Sequence, residues 1–304
     1  MGNQIITRSP HDYEISALRD IWCNVFGNIG VDMFFKLLFN AKHCIVSLVR
    51  DTPAAMGYLV PAGDIYFKQA TLKCAMIYSI ATLPKYRGFG LGTAVVRSLI
   101  NLANELDYDA VVLCPSNDEL FEYYSGKTKM CDWFYVDEIT FVQVPSGKNI
   151  KTLVQISASE YHSYRKNLLS GVLHIDSGLH IFEYQAALCS ELGGGLFLID
   201  DCCAVVECQP NGEVWVKELL MPVIGADGFI SSPKHEDYAD IAASIAINFP
   251  AEKYIVRKPA QIGRQIGRQR RFGMLTFLEK PPPSICGGGI READFAPWYG
   301  LAFD

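Results

Sequence analysis

The part of this chain that constrains its fold most strongly is a run of four predicted elements in the first half. CAMIYSIATL, residues 74–83, is apolar almost throughout and predicts a buried strand, and the three alternating glycines of YRGFGLG follow it at 86–92. Apolar residues then recur at helical spacing over 95–106, and AVVLCP, residues 110–115, predicts a second buried strand. Such a crossover is right-handed and places its two strands in parallel. The sequence therefore predicts an α/β fold in which helices flank a mixed sheet.

Helices and antiparallel strands precede and follow this crossover. The first helix is predicted to start with Ser9 as N-cap, Pro10 at the first helical position and Asp12 in the capping-box place, and to end at Phe26 before Gly27. Aromatic and apolar patterns predict the remaining elements of the first half, which are a helix at 31–42, strands at 44–51 and 55–67, a short helix at 118–125 and a strand at 134–144.

A domain boundary is predicted at VPSGKN, residues 144–149, because turn residues and charge directly follow a strand there. The predicted domains are 1–144 and 150–304. The second half repeats the order of the first, with helices after Ser157 and at 179–192 and 235–248, and with strands in GGGLFLIDD, CCAVVECQP, EVWVKELLMP, KYIVRKP and FGMLTFL. Where a glycine loop would follow the third of these strands, the chain has only VIGADGFISSPK, which predicts a degenerate copy.

Charge limits the partners that we expect. The 304 residues carry a formal net charge of −6, and nonspecific binding to nucleic acid needs clustered Lys and Arg, so no nucleic-acid partner is predicted and a small or cationic partner fits better. One basic stretch contains Arg264, Arg268, Arg270 and Arg271. We interpret it as a solvated face, with contact to an acidic substrate or a nucleic acid as the alternative.

The cell compartment follows from features that this sequence lacks. No apolar run approaches the roughly 20 residues that span a bilayer, and MGNQIITRSP has no signal-peptide pattern, so we expect a cytoplasmic protein without a membrane partner. The ten cysteines are scattered and form no CxxC pair, which predicts reduced core residues and no metal site. The oligomeric state is left open.

The glycine loop is typical of an anion site, because unpaired amides and the positive end of a helix dipole converge there. A nucleoside triphosphate loop needs GxxxxGK[ST], and no lysine follows these glycines. A dinucleotide fold needs GxGxxG after its first strand, whereas this loop reads GxGxG and follows the fourth predicted strand. The remaining pattern is Arg-x-x-Gly-x-Gly, at Arg87, Gly90 and Gly92. A surface turn that is merely rich in glycine is the alternative without a ligand.

Together with the preceding IYSIATLPKY, this pattern resembles the acyl-CoA pyrophosphate loop of the GCN5-related N-acetyltransferase (GNAT) family, and the elements over 74–126 stand in the family's order. The resemblance implies a GNAT fold, acetyl-CoA as cosubstrate, loop amides on the pyrophosphate and the end of the fourth strand along the pantetheine arm. For Asn117, which follows the fifth predicted strand, the alternative role is that of a helix N-cap. The implied cofactor contacts are Ile80, Ala81, Thr82, Arg87, Gly88, Phe89, Gly90, Leu91, Gly92, Thr93 and Asn117.

The resemblance also implies a proton donor on the helix after that asparagine. It selects Tyr124, with Tyr123 as the rival, and a tyrosine hydroxyl can donate to a departing thiolate. A core aromatic on an amphipathic helix is the alternative for either residue. The family's Tyr-x-x-x-Gly-Phe ending is replaced by YSGKTKMCDWF, which leaves the local register open.

The group that accepts the amine's proton is left between two candidates. Neither central strand contains Glu or Asp, so an ordered water is one candidate. The other is the terminal carboxylate of Asp304, by resemblance to two-domain acetyltransferases of the enhanced-intracellular-survival type, and the tail FAPWYGLAFD is aromatic and apolar. The family's amine pocket corresponds to roughly Gly27–Phe39, with Met33, Phe34 and Phe35 as candidate walls, and a place in the core is the alternative for any one of them.

The sequence thus predicts an N-acetyltransferase that transfers an acetyl group from acetyl-CoA to a primary amine, by direct attack within a ternary complex. The second half resembles the degenerate copy in two-GNAT acetyltransferases such as mycothiol synthase. Two alternatives stay open, a noncatalytic acyl-CoA sensor and an acetyltransferase for a protein lysine or N-terminus. The acceptor amine is not identified.

Overall fold

The computed structural model describes residues 4–67, 70–143, 147–222, 233–261, 265–286 and 295–303. Within these ranges the chain forms one mixed sheet of 13 strands with helices on both faces. The strands are Ile5–Arg8 (β1), Cys44–Val49 (β2), Thr52–Phe67 (β3), Ala70–Thr82 (β4), Ala110–Leu113 (β5), Cys131–Val142 (β6), Leu153–Gln155 (β7), His174–Asp176 (β8), Gly195–Ile199 (β9), Cys202–Cys208 (β10), Val214–Leu220 (β11), Lys253–Pro259 (β12) and Arg268–Phe277 (β13). The helices are Ile15–Phe26 (α1), Val31–Leu37 (α2), Leu91–Glu105 (α3), Asp118–Lys127 (α4), Ala158–Leu168 (α5), Leu179–Leu192 (α6), His235–Asn248 (α7) and Pro283–Cys286 (α8).

The start of α1 differs from the prediction. Ser9 is not its N-cap, because the chain first passes through a 3-10 turn, Asp12–Glu14. The Glu14 carboxylate accepts a hydrogen bond from the backbone N–H of His11 at 2.7 Å and one from the Arg8 guanidinium at 2.7 Å. Glu14 therefore satisfies an amide at the helix entry that Ser9 was expected to satisfy.

The predicted crossover is confirmed. Strands β1 to β4 pair antiparallel in order, and β5 then pairs with β4 in parallel from Cys74↔Ala110 to Met76↔Val112. Helix α3 connects the two parallel strands and packs under them. The glycine loop therefore lies at the end of β4 where the helix begins, as the strand, loop, helix order requires.

The second half repeats these pairing directions. Strands β7, β9, β10 and β11 pair antiparallel, and β12 pairs with β11 in parallel, with α7 between them in the chain. Of the segment VIGADGFISSPK that stands where the glycine loop would be, residues 223–232 lie outside the described residues. The mixed α/β architecture predicted from the sequence is thus present in both halves.

The two halves exchange a strand. Strand β13, near the end of the chain, lies between β5 and β6 and is antiparallel to both. Strand β6, which ends the first half, pairs in turn with β12 of the second half, from Lys253↔Val142 to Pro259↔Val136. The sheet is therefore continuous across the predicted boundary, of which residues 144–146 lie outside the described ranges. The division into 1–144 and 150–304 stays a prediction.

Apolar clusters cover the two faces of the sheet. Along β4, Met76 and Tyr78 join a cluster with Trp22 of α1 and Tyr184 of α6, whereas Ile77 joins a separate cluster under α3. The alternation follows from the side-chain period of a strand. A third cluster packs α7 against the second half of the sheet. The first cluster thus joins both halves of the chain and borders the site described next.

Candidate active site

The glycine loop leads directly into α3. After a 3-10 turn at Pro84–Tyr86, Gly88 and Gly90 adopt φ values of +84° and +76°, and Gly90 is the N-cap of the helix. Residues other than glycine rarely adopt this left-handed conformation, so the glycines are required for this path. The backbone amides of the first helical turn have no partner within the helix, and the helix dipole is positive there. This is the arrangement of an anion site.

The other predicted loop residues differ in their exposure to solvent and in their contacts. Phe89 is 54% exposed and Leu91 is buried in the core under α3. Arg87 folds back, and its Nε donates to the backbone oxygen of Thr82 at 3.3 Å. Arg87 therefore ties the loop to the end of β4.

Close packing holds the first turn of α3 against α4. A Cβ on Gly92 would lie 3.6 Å from Thr82 Oγ1 and 3.9 Å from the Tyr123 hydroxyl. The Tyr123 hydroxyl also shares a hydrogen bond with Thr93 Oγ1. Tyr123, the rival for the proton donor, thus supports the loop from the side.

The end of β4 has an open edge. Its last pair with β5 is Met76↔Val112, so Ile80, Ala81 and Thr82 extend beyond β5. Ser79 has φ +51°, a left-handed value for a residue other than glycine, and the register with β3 shifts between Met56 and Tyr58. A bulge of this kind redirects the local backbone groups away from regular pairing. Ser79 and Ile80 line the cavity at this edge, whereas Ala81 is buried and Thr82 contacts the loop.

Asn117 precedes α4 and Tyr124 lies within it. The Asn117 side chain accepts a hydrogen bond from the backbone N–H of Leu120 at 3.0 Å and is the N-cap of the helix, which is the alternative role considered for it. Tyr124 is 7% exposed and lines the cavity, whereas Tyr123 does not. Burial, with a smaller effect of Tyr123, raises the pKa of Tyr124 to about 12. The phenol therefore keeps its proton at neutral pH.

The cavity between these elements has a volume of about 380 Å³ and receives walls from both faces of the sheet and from both halves of the chain. The predicted amine-pocket walls Met33, Phe34 and Phe35 are not among its lining residues. Phe34 is instead fully buried in the core against Trp22, which is the alternative considered for it. Its lining residues are Trp22, Phe26, Ile29, Met76, Ile77, Tyr78, Ser79, Ile80, Leu113, Cys114, Pro115, Ser116, Leu120, Tyr124, Tyr184, Leu188, Leu192, Glu207, Gln209, Pro210, Ala302 and Phe303.

The comparison with protein families identifies this region. The model of the acetyltransferase (GNAT) family matches residues 13–125, a range that includes the glycine loop, the open edge of β4, Asn117 and Tyr124. The resemblance predicted from the loop is thereby confirmed. No curated protein matches the chain.

Solved structures share the GNAT architecture over most of the chain. A GCN5-related N-acetyltransferase from Kribbella flavida aligns with a TM-score of 0.62 and 12% identity, over 91% of this chain and 71% of that protein. One from Anabaena variabilis aligns with a TM-score of 0.64 and 13% identity, over 91% and 73%. Eis1 from Mycobacterium abscessus aligns with a TM-score of 0.58 and 10% identity, over 91% and 74%. At these identities the likeness shows the fold, and it extends beyond the GNAT domain into the second half.

The second half and the tail contribute part of the cavity wall. The hydroxyls of Tyr78 and Tyr184 lie 3.3 Å apart. The ring of Phe303 packs edge-on against both, with centroid distances of 5.6 Å to Tyr78 and 4.7 Å to Tyr184. Asp304, the predicted source of a terminal carboxylate, lies outside the described residues. No pattern in the sequence placed Tyr184 at this site, because helix α6 reaches it only through the tertiary fold.

Glu207 is a functional candidate that the sequence analysis missed. Among the described residues that line the cavity it is the one carboxylate, and it is 5% exposed. Its oxygens accept hydrogen bonds from Gln185 Nε2 at 2.6 Å and Gln209 Nε2 at 3.1 Å, and Lys217 Nζ lies 3.6 Å away. A usable signal was present, since Glu207 is the one charged residue in the apolar strand CCAVVECQP.

Two histidines of the described ranges contact backbone oxygens. His174 Nδ1 lies 2.8 Å from the oxygen of Val172, and His180 Nε2 lies 2.9 Å from that of Pro61.

Across the described ranges, no three His, Cys, Asp or Glu side chains are grouped so that they could hold a metal ion. In the same ranges, no helix combines the length and the apolar character needed to cross a membrane.

Proposed function

We propose that this protein is an acetyl-CoA-dependent N-acetyltransferase whose catalytic domain is residues 1–144. The proposal rests on the way the glycine loop, the end of β4 and the cavity lie next to one another. The left-handed glycines at the start of α3 lie beside the open edge of β4, and that edge opens into a cavity lined by Tyr124. The second domain, 150–304, has no predicted phosphate loop and supplies part of the cavity wall.

The cofactor would be held mainly by backbone groups. The pyrophosphate would rest on the amides of Gly88 to Thr93, where the helix dipole is positive. Arg87 orders the loop through Thr82, and the pantetheine arm would follow Ile80, Ala81 and Thr82 along the edge that β5 leaves unpaired. Asn117 caps α4 and so positions the helix that carries Tyr124.

The reaction would be direct attack of a neutral amine on the thioester carbon. A preorganised amide at the β4 bulge would stabilise the developing oxyanion, a contribution that is often among the largest in acyl transfer. The Tyr124 hydroxyl would donate to the sulfur as the C–S bond breaks, so that no free thiolate forms in an apolar cavity.

The composition of the cavity wall supports a small amine as acceptor. The tail residues Ala302 and Phe303, together with Tyr184 of α6, form part of that wall beside the end of β4. A protein lysine or N-terminus therefore has less support than a free amine. A noncatalytic acyl-CoA sensor would bind acetyl-CoA without releasing CoA in the presence of any amine.

The test is a calorimetric titration of acetyl-CoA into wild-type protein and the variant Gly90→Glu, which puts a carboxylate in the pyrophosphate position. Gly171→Glu is the matched control, because Gly171 has φ +86°, open space around it and a place outside the cavity. We expect binding by the wild type and the control and loss of binding in Gly90→Glu. Absence of binding by the wild type would overturn the proposal.

A further inference from the structure

We infer that the acceptor is a primary amine with an apolar body, and that Glu207 of the second half holds its nitrogen and accepts its proton during transfer. The inference rests on the proposed function. It concerns the part of the cavity that would hold the acceptor. The glycine loop and the edge of β4 are assigned to the cofactor and do not indicate which amine binds.

The composition of the cavity wall indicates the class of amine. Trp22, Phe26, Leu188 and Phe303 present apolar surface, and among the described lining residues Glu207 is the one that is an Asp, Glu, Lys or Arg. An apolar ligand body gains about 25 cal/mol for each Å² that it removes from water. A polar acceptor with several charged groups would leave most of them desolvated and unpaired. One cation on an apolar body matches one carboxylate on an apolar wall.

The hydrogen bonds that Glu207 accepts leave part of its carboxylate available to a ligand. A carboxylate has about four lone-pair sites. Oε1 accepts from Gln185, and Oε2 accepts from Gln209 and lies 3.6 Å from Lys217 Nζ, so hydrogen bonds from the described residues use two sites. Lys217 is not part of the cavity wall and balances the charge of Glu207 from outside it. The remaining site on Oε1 can receive an N–H of the amine.

Glu207 and Tyr124 then serve opposite ends of one transfer. The ammonium that Glu207 binds first loses one proton to solvent and becomes the neutral amine. As its nitrogen attacks the carbonyl carbon, the N–C bond forms and the nitrogen becomes acidic, and this second proton passes to Glu207. The C–S bond breaks and the sulfur takes the Tyr124 proton. Solvent removes the proton from Glu207 and restores that of Tyr124, so one proton moves in sum from nitrogen to sulfur. The two groups come from β10 and α4, in different halves of the chain.

The experiment uses phenethylamine as the probe acceptor and follows CoA release and N-acetylphenethylamine by chromatography. The variants are Glu207→Gln and its matched control Glu213→Gln, whose carboxylate also pairs with a lysine but does not line the cavity. We expect Glu207→Gln to lower kcat/KM by about 100-fold or more, the usual effect of losing a general base, and Glu213→Gln to leave it unchanged. Acetyl-CoA affinity should stay the same in both.

A double variant separates catalysis from folding. Glu207→Gln removes the carboxylate that lies 3.6 Å from Lys217 Nζ, and Glu207→Gln with Lys217→Met removes both charges of this ion pair. Continued inactivity of a double variant that unfolds at the wild-type temperature supports the inference. Recovered turnover would mean that Glu207 only neutralises Lys217, which overturns it.

Measurements on the wild type distinguish failure of this inference from failure of the proposed function. Binding of acetyl-CoA without acetylation of phenethylamine would overturn the acceptor class and leave the proposed function in place. Failure to bind acetyl-CoA at all would instead end the proposed function.

Discussion

Arg165 and Glu218 form an ion pair that is almost completely shielded from water, with 3.0 Å between Nε and Oε2 and exposures of 1% and 0%. Glu218 Oε1 also accepts a hydrogen bond from Trp298 Nε1 at 2.7 Å, and Arg165 Nη2 donates to the oxygen of Tyr299 at 3.0 Å. The pair therefore fastens the C-terminal tail to the second half. Since Phe303 of that tail lines the cavity, the pair connects stability with the shape of the site.

Replacement of Arg165 by Met should destabilise the fold by about 3–5 kcal/mol, because Glu218 would keep a buried charge without its partner. Thermal or urea unfolding measures the loss. Lys166→Met is the control, since Lys166 pairs with Asp176 at 3.4 Å but is 65% exposed, and such pairs contribute about 0–1 kcal/mol. Equal losses in the two variants would contradict the structural role of the buried pair.

Gly300→Ala should displace the tail. Gly300 has φ +83°, and an added Cβ would overlap Glu218 Oε1. Gly171→Ala, with φ +86° and open space, carries only the backbone strain of about 1–2 kcal/mol. The excess loss of unfolding free energy in Gly300→Ala measures the steric part. We also expect reduced turnover with unchanged acetyl-CoA affinity, because Ala302 and Phe303 would shift in the cavity.

Tyr124→Phe should lower kcat by roughly 100-fold or more while acetyl-CoA binds as before, since the proposed role of the hydroxyl is confined to proton transfer. Tyr123→Phe is the neighbouring control. It removes the hydrogen bond to Thr93 and should weaken cofactor binding without a comparable loss of kcat. The opposite assignment, with the larger kcat loss in Tyr123→Phe, would make Tyr123 the donor.

Alkaline pH should weaken the fold through Tyr124. Its pKa is about 12 in the folded protein against 10.0 for the unperturbed group, so the unfolded chain loses this proton first as pH rises. The corresponding stability is complete below pH 10 and is lost between pH 10 and 12, by up to about 3 kcal/mol at 1.36 kcal/mol for each pKa unit. Urea unfolding of wild type and Tyr124→Phe over this range isolates the effect. Parallel pH curves for the two proteins would contradict it.

Local patterns predicted the elements well where periodicity and end signals agree. Helices α6 and α7 and strand β12 have the predicted limits, Leu179–Leu192, His235–Asn248 and Lys253–Pro259. The first helix was misplaced at its start because Glu14, rather than Ser9, satisfies an entry amide. Short strands such as β1 and β8 went unpredicted, since three or four residues carry too little periodicity.

The glycine loop, the crossover and the resemblance of residues 13–125 to the GNAT family could be predicted from local patterns, because these depend on φ values, strand alternation and helical spacing within a short stretch. Three features became visible only in the folded chain: the strand exchange of β6 and β13, the bulge at Ser79 and the meeting of Tyr124, Tyr184 and Glu207 around one cavity. Those features depend on pairings and packing between residues far apart in the chain. A local pattern records that a strand is apolar or that a glutamate interrupts it, but the partner across the sheet is chosen by the fold as a whole.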